Sequence, residues 1–194
     1  MNSFNTSIKF INHASVLIRH NAIFLLSDPW YFGTSFHEGW SLIYENKESE
    51  IKELLNKVTH IWISHEHPDH FSIPFFKKYN EILKENKIEI LFQRTKDRRV
   101  YSFLTSQNLK IKELNHSKDY YLDKDFKIKC VKSSFYDSSL LLEVNRKKIF
   151  NLNDCPIHNK KQIKNFFNKY GSCDILLTQF SYAAWKGGKN NKKW

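Results

Sequence analysis

Short apolar runs separated by turn-forming residues divide the first part of the chain into strands and helices. The runs 8–11, 15–19 and 23–26 have the length and composition of strands, and a tight turn at Asn21-Ala22 joins the last two. Residues 29–43 are aromatic and aperiodic, which predicts an ordered loop. Farther on, apolar positions with helical spacing alternate with short apolar runs. The predicted helices span 48–58, 73–86 and 98–106, and the predicted strands span 60–64, 88–92 and 109–114.

Beyond residue 115 the pattern changes to closely spaced short strands. The predicted strands span 120–122, 126–131, 139–144, 148–152 and 174–178, with a helix at 160–169. Strand runs with interspersed helices predict a single α/β domain in which helices pack outside the sheets. We expect this domain to span residues 1–185. Residues 186–194 are polar and contain glycine, which predicts a flexible tail.

Bulk composition favours a globular protein. The chain has 194 residues, of which 41% are hydrophobic and 15% aromatic, enough to build a core. No apolar run approaches the roughly 18 residues of a membrane span, and the N-terminus lacks the pattern of a secretory signal, so we expect a cytoplasmic location. The three cysteines include no Cys-x-x-Cys pair, which argues against a disulfide framework and against a thiolate zinc site. The oligomeric state stays open.

The formal net charge of +11 raises the question of an acidic partner. Nucleic acid, a phosphorylated metabolite and a membrane surface would each be attracted. However, the lysines are spread along the whole chain, whereas a nucleic-acid footprint is concentrated on one face. Solvated surface lysines are therefore the favoured interpretation, and nucleic acid remains an alternative partner.

A cluster of potential metal ligands follows the predicted strand that contains Ile-Trp-Ile. His65, His67, Asp69 and His70 lie within six positions. Imidazole nitrogen and carboxylate oxygen are ligands for zinc, and iron and manganese accept them too. His65 and His67 are two positions apart on extended chain and point the same way. Asp69 and His70 follow Pro68 and can face a second ion, so the sequence predicts a site for one or two divalent ions.

Three further residues at predicted strand ends are candidates for the same site. Asp154 follows the strand at 148–152 and could bridge two ions, or it could form an Asx turn before Pro156. Asp28 could accept a hydrogen bond from a metal-binding imidazole, or serve only as a turn residue. His13 follows the first strand and could reach the same rim.

The segment His-Glu-His-Pro-Asp-His, after its apolar strand, resembles the signature of the metallo-β-lactamase superfamily. Residues 12–18 and 26–30 resemble the opening of the branch that contains L-ascorbate-6-phosphate lactonase and N-acylphosphatidylethanolamine phospholipase D. The segments at 28–40, 137–140 and 151–155 (Asn-Leu-Asn-Asp-Cys) resemble the metallo-β-lactamase-like domain of CMP-N-acetylneuraminate hydroxylases and related bacterial proteins. The resemblance covers nearly the whole chain.

The resemblance implies an αββα sandwich of the α/β class, with metal at the edge between its sheets. It implies that His65 and His67 bind a first ion, that Asp69 and His70 bind a second, and that Asp154 bridges them. Related hydrolases use metal-bound hydroxide as the nucleophile, and Asp69 is then a catalytic residue that holds or deprotonates the attacking water.

This chain departs from the superfamily pattern at two ligand positions. The superfamily usually supplies a third histidine between the His cluster and the bridging Asp, but residues 131–137 contain none. A last histidine usually lies near the C-terminus, yet no histidine follows residue 158. The chain stops where relatives continue. One alternative is therefore a sandwich that is incomplete at the C-terminus.

The expected function is that of a metal-dependent hydrolase with zinc, or else iron or manganese. Its substrate would be a small anionic or phosphorylated ester, lactone, amide or phosphodiester. One alternative is a nucleic-acid phosphodiesterase. Another is a non-catalytic or oxygenase-associated metal-binding module of the sialic-acid hydroxylase type.

Overall fold

Two β-sheets form the centre of the protein, for which a computed structural model describes residues 6–133 and 136–179. The strands in these residues are β1 (Thr6–Asn12), β2 (Ser15–His20), β3 (Ile23–Ser27), β4 (Thr34–Ser35), β5 (Trp40–Ser41), β6 (His60–Ile63), β7 (Glu89–Gln93), β8 (Lys110–Leu114), β9 (Asp119–Asp123), β10 (Phe126–Lys132), β11 (Ser138–Val144), β12 (Lys147–Asn153) and β13 (Ile175–Thr178). The helices are α1 (Glu48–Leu55), α2 (Ile73–Lys78), α3 (Asn80–Glu85), α4 (Arg99–Ser106) and α5 (Lys160–Tyr170).

The two larger sheets differ in strand direction. The first has the order β1-β2-β3-β6-β7-β8. Its first three strands are antiparallel, and β3, β6, β7 and β8 are parallel, as expected for strands connected by helices. The second has the order β13-β12-β11-β10-β9 and is antiparallel except for the parallel pair β12–β13. A small hairpin, β4–β5, lies apart from both sheets in the hydrogen-bond pattern.

Side-chain alternation along the strands produces four layers. In β6, Ile61 and Ile63 pack with helices α1–α4, whereas Trp62 between them packs against the second sheet. In β11, Leu140 and Leu142 face the first sheet, and Leu141 joins the apolar cluster beneath α5. Each central strand is therefore covered on both faces. This arrangement confirms the predicted αββα sandwich.

Local interactions fix where several helices begin. The Glu50 carboxylate accepts a hydrogen bond from the backbone N–H of Lys47 (2.9 Å) at the start of α1. Asn159 Oδ1 accepts one from the N–H of Gln162 (3.0 Å) at the start of α5. Polar side chains in these positions satisfy backbone donors that lack a partner inside the helix.

The structure differs from the predicted elements in two places. The helix predicted at 73–86 is two helices that meet at Tyr79, whose ψ of 14° leaves the α-helical region. The Tyr79 ring is buried and packs against Phe75 (5.2 Å between centroids), so the apolar face continues through the break. The predicted loop at 29–43 contains the β4–β5 hairpin. The predicted domain end at 185 and tail at 186–194 lie outside the described residues.

The sheet topology brings three strand ends to one edge of the sandwich. Parallel strands β3 and β6 both point their carboxyl ends there, and the N–H of Asp28 bonds to the carbonyl of Trp62 (3.0 Å). Strand β12 of the second sheet ends at Asn153 on the same side, because its side chain reaches Asp28. The candidate metal-binding residues are therefore assembled between the sheets. Among the described residues, the helices are all too short and too polar to span a bilayer.

Candidate metal centre

Asp28 lies at the base of the site and connects the three strand ends. Its Oδ1 accepts a hydrogen bond from the N–H of Ser64 (2.8 Å), and its Oδ2 accepts one from the Ser64 hydroxyl (2.8 Å). The same Oδ2 contacts His70 Nδ1 (3.1 Å) and accepts a bond from the side-chain amide of Asn153. Asp28 is fully buried and has a positive φ of 36°, an unfavourable backbone conformation that these contacts hold in place.

His70 is buried among three carboxylates. Since its Nδ1 faces Asp28, its Nε2 is the atom that points into the site. There it lies 3.2 Å from Asp69 Oδ2 and 3.3 Å from Asp154 Oδ2, but neither contact is aligned as a hydrogen bond. Burial lowers the pKa of His70, but the three carboxylates outweigh burial and raise it to about 12. The cluster is therefore strongly favourable for a cation.

His65 and His67 form the outer part of the site. His65 Nε2 lies 2.8 Å from His67 Nδ1, while His65 Nδ1 contacts the Ser64 hydroxyl (2.9 Å). Burial, together with the charge on His70, lowers the pKa of His65 to about 4. His65 is consequently neutral near pH 7, and the neutral imidazole is the form that binds metal.

The carboxyl groups of Asp69 and Asp154 are both kept in the ionised form. Burial raises the pKa of Asp69, but the hydrogen bond with His13 and the close positive charge of His70 outweigh it and hold the pKa well below its usual range. The His13 contact joins Nε2 to Asp69 Oδ2 at 3.0 Å. Asp69 Oδ1 is buried and has no hydrogen-bond partner among the described residues. The pKa of Asp154 is also lowered: burial opposes the shift and the charge on His70 drives it.

The structure brings the predicted site residues together, but in combinations that differ from those expected. The donor atoms of His65, His70 and Asp154 lie within 4.8 Å of one another, and so do those of His13, Asp69 and His70. His70 thus belongs to both groups. His13, expected only at the rim, contributes a donor to the second. His67 lies outside both groups and contacts His65.

Three residues that the sequence analysis did not single out also line the site. Ser64 and Asn153 hold the Asp28 carboxylate, and each directly precedes a candidate ligand in the sequence. Asp137 Oδ1 lies 3.7 Å from His65 Nε2. Burial, together with the charge on Asp154, raises the pKa of Asp137. Asp137 begins the segment 137–140, which resembles the hydroxylase branch. That resemblance was the one indication in the sequence that Asp137 could belong to the site.

Hydrogen bonds between the sheets fix the position of the histidine segment. The Ser138 hydroxyl donates to the carbonyl of Ser64 (2.6 Å), and the Gln93 side chain donates to that carbonyl (3.3 Å) and to the carbonyl of Tyr136. Asp137 lies between Tyr136 and Ser138, so this network places it beside His65.

Aromatic side chains surround the entrance. The ring of His13 packs edge-on against Trp30 (5.1 Å) and Trp40 (6.4 Å), and Phe36 contacts both Trp40 (5.1 Å) and His67 (5.8 Å). Trp40 also lines a cavity of about 520 Å³ that reaches His13, Asp69 and Asp154. The site is therefore open to a small molecule.

The residues fit a metal centre by their donor chemistry. The buried His70 Nε2 and Asp69 Oδ1 lack aligned hydrogen bonds in the described structure, although buried polar atoms nearly always have them. A cation that accepts nitrogen and oxygen donors would satisfy both atoms. Asp28 completes the pattern, since metal-binding histidines typically donate their second ring N–H to a carboxylate.

Comparison with known proteins identifies the fold and the family. A family profile described as "Beta-lactamase superfamily domain" matches residues 7–153. The chain is 25% identical over 199 residues to cytidine monophosphate-N-acetylneuraminic acid hydroxylase of Xenopus laevis, covering 96% of this chain and 32% of that protein. It is 24% identical over 200 residues to the inactive human protein of the same name, covering 96% and 38%. The chain thus spans about a third of the length of these relatives.

Two solved structures have the same fold. CmlA, a diiron β-hydroxylase from Streptomyces venezuelae, superposes with a TM-score of 0.70 at 12% identity, over 90% of this chain and 34% of that one. A possible metal-dependent hydrolase from Veillonella parvula superposes with a TM-score of 0.66 at 12% identity, over 90% and 71%. With the profile match over residues 7–153, the chain belongs to the metallo-β-lactamase superfamily.

Proposed function

We propose that this chain is a metal-dependent hydrolase that acts on a small ester, lactone, amide or phosphodiester in the cytoplasm. The observation that carries the proposal is the position of His70. Its Nδ1 is held by Asp28, and its Nε2 faces the carboxylates of Asp69 and Asp154 at 3.2 and 3.3 Å without an aligned hydrogen bond. Such an atom in a buried acidic cluster is best explained as a metal ligand.

The candidate donors would hold two ions. His65 and His67 would hold one ion, Asp69, His70 and His13 would hold the other, and Asp154 lies close enough to His65 and His70 to serve both. Zinc is the first choice because imidazole and carboxylate donors suit it, and iron and manganese accept the same donors.

Asp137 is proposed as an oxygen donor to the first ion, in the place where relatives usually supply a third histidine. Its Oδ1 lies 3.7 Å from His65 Nε2. A carboxylate oxygen so close to an imidazole nitrogen could share an ion with it, since zinc accepts both kinds of donor. Asp137 is partly buried, which keeps its carboxylate near the site.

The proposed reaction is hydrolysis by a water molecule that the bound ions activate. A bound divalent ion lowers the pKa of a coordinated water towards neutrality and polarises the attacked carbonyl or phosphoryl group. Asp69 would help to hold the ion at Oδ1, which has no other partner in the described residues, and would orient the attacking water beside it. His13 holds Asp69 through Oδ2, and Asp28 holds the ring orientation of His70. The cations attract an anionic or phosphorylated reacting group.

A second candidate function is the metal-binding module of a hydroxylase. The curated relatives are named as hydroxylases, and CmlA is described as a diiron β-hydroxylase. Asp137 in place of a histidine makes the donor set richer in oxygen, which suits iron better than an all-histidine set does. A nuclease is less favoured, because no lysine or arginine lines the 520 Å³ cavity among the described residues.

Metal analysis combined with activity measurements tests the proposal. Purified protein is loaded with zinc, manganese or ferrous iron, and bound metal is measured by mass spectrometry. We expect up to two equivalents, reduced in His67→Ala and Asp154→Ala and unchanged in Asp119→Ala, a surface carboxylate on β9. Hydrolysis of p-nitrophenyl acetate and bis(p-nitrophenyl) phosphate should depend on the same residues. Iron-dependent consumption of dioxygen without hydrolysis would favour the hydroxylase module instead.

A further inference from the structure

The cavity beside the metal centre has a polar floor and apolar walls. Its floor is formed by Asp69, Asp154, Asn151 and Asn153, near the proposed metal ligands. Its walls are formed mainly by residues of β1 and β2 in the first sheet and of β13 in the second sheet, at the edge of the sandwich. The apolar wall residues are Phe10, Ala14, Val16, Trp40, Leu176 and Leu177.

The charge of this cavity is unusual for so basic a chain. Lysine and arginine make up 31 of the 194 residues, yet none of them lines the cavity among the described residues. The charged groups present are carboxylates at the floor. Within the described part of the chain, a negative group at the outer end of a ligand would therefore meet mainly apolar side chains and no lysine or arginine, and burial of an unpaired charge is strongly unfavourable.

Large apolar side chains in the walls remain exposed. Phe10 is 66% exposed, Trp40 53% and Leu176 49%. Exposed aromatic and aliphatic groups that converge on a concave site with a few polar atoms at its base are typical of small-molecule sites. The volume of about 520 Å³ falls within the range of roughly 300–1,000 Å³ that such sites occupy.

We propose that the substrate has a scissile polar or anionic group at one end and a neutral apolar chain or ring at the other. The scissile group lies at the floor, by Asp69 and Asp154. The apolar part lies between Phe10 and Val16 on one side and Leu177 on the other, against Trp40. This inference rests on the proposed hydrolytic function and narrows its substrate class: the described lining favours a substrate without a charge distant from the reacting bond.

Three hydroxamic acids test the inference, because they share a metal-binding head and differ only in the tail. They are acetohydroxamic acid, octanohydroxamic acid and suberic acid monohydroxamate, which has the octano length but ends in a carboxylate. Binding to the zinc-loaded protein is measured by calorimetry. Burial of a methylene group strengthens binding by about fourfold, so the octano compound should bind at least about tenfold more tightly than the acetyl compound. The carboxylate-ended compound should lose most of this gain.

A substitution in the apolar wall, with a matched control, tests where the octano chain of the ligand binds. Phe10→Asp places a negative charge in the wall, and we expect it to abolish the advantage of the octano tail while acetohydroxamate binding and zinc content stay unchanged. Tyr121→Asp is the control, since Tyr121 is 65% exposed on a strand of the second sheet and does not line the cavity. Thermal melting of both variants establishes that they fold.

The outcomes separate this inference from the proposed function. Equal binding of all three hydroxamates would overturn the apolar-tail inference and leave the metal centre intact. Absence of zinc binding and of hydroxamate binding would overturn both. A wild-type dimer that Phe10→Asp converts to a monomer in sedimentation velocity would assign the apolar wall to a second copy of the chain, which also overturns the inference.

Discussion

At the residue scale, the two nitrogens of His70 show how the candidate site could favour a cation. One nitrogen is held by Asp28, so the other is fixed in direction and faces two further carboxylates. Asp28 itself is buried and receives hydrogen bonds from Ser64 and Asn153. Metal affinity should therefore depend on a residue that does not contact the metal.

Replacement of Asp28 by asparagine tests this dependence. The amide keeps the shape of the carboxylate but loses its charge and its capacity to accept several hydrogen bonds at one oxygen. We expect zinc affinity to fall by about 10–100-fold, the usual effect of altering a carboxylate behind a ligating histidine. Competition with a chromophoric chelator measures the change. Asp119→Asn, on edge strand β9, is the control, and equal losses in both variants would contradict the role of Asp28.

Asp137 offers a second test at this scale. Asp137→Ala removes the proposed oxygen donor, whereas Asp137→His supplies the imidazole that relatives usually have at this point. We expect Asp137→Ala to weaken zinc binding by at least about tenfold and Asp137→His to restore it within a few fold, since imidazole is a good zinc ligand. If both variants bind zinc as the wild type does, Asp137 is not a ligand.

At the element scale, alternation along single strands determines the layers. Leu142 is buried between the sheets, whereas the next residue, Glu143, points outward and pairs with Lys127 (2.7 Å). The inner face of this strand packs on the first sheet, and its outer face packs beneath α5 at Leu141 and reaches solvent at Glu143. Neighbouring positions in one strand should thus differ sharply in their effect on stability.

Alanine substitution at these two neighbours tests the layering. Leu142→Ala leaves a cavity between the sheets, and we expect the free energy of unfolding to fall by about 2–5 kcal/mol. Glu143→Ala removes only a partly exposed ion pair and should change it by less than about 1 kcal/mol. Chemical denaturation measures both. Similar values for the two variants would be inconsistent with an inward Leu142 and an outward Glu143.

Sequence periodicity predicted most elements, because apolar spacing reflects burial directly. Strands β1–β3 and β10–β12 and helix α4 lie where it placed them. It missed the break at Tyr79 because the apolar spacing continues through it, whereas the break is a change in the backbone angles of one residue. It missed the β4–β5 hairpin because two-residue strands have no period to detect.

At the scale of the whole molecule, the site depends on the meeting of both sheets. Asp28 and the histidine segment come from the first sheet, and Asn153 and Asp154 come from the end of β12 in the second. Unfolding separates these residues. Bound metal should therefore stabilise the entire fold rather than one local segment.

Metal removal tests this coupling. A ligand at about 1,000 times its dissociation constant stabilises the folded state by about 4 kcal/mol. For a chain of this size, each kcal/mol raises Tm by roughly 2–4 °C, so zinc should raise Tm by about 10 °C. Differential scanning calorimetry with zinc or with a chelator measures the shift. The shift should disappear in a His70→Ala, Asp154→Ala double variant, and its persistence would indicate zinc bound elsewhere.

The sequence by itself determined the fold class and the presence of a candidate metal site. Periodicity identifies buried faces, and His65, His67, Asp69 and His70 lie within a few residues, so both signals are local. The tertiary structure alone decided how these donors combine: that His70 is shared by two groups, that Asp28 holds its ring and that Asp137 lies beside His65. It also decided that the cavity walls are apolar. These features join residues far apart in the sequence, as Asp28 and Asn153 are at 125 positions apart, and a distance between strand ends in two sheets leaves no pattern along the chain.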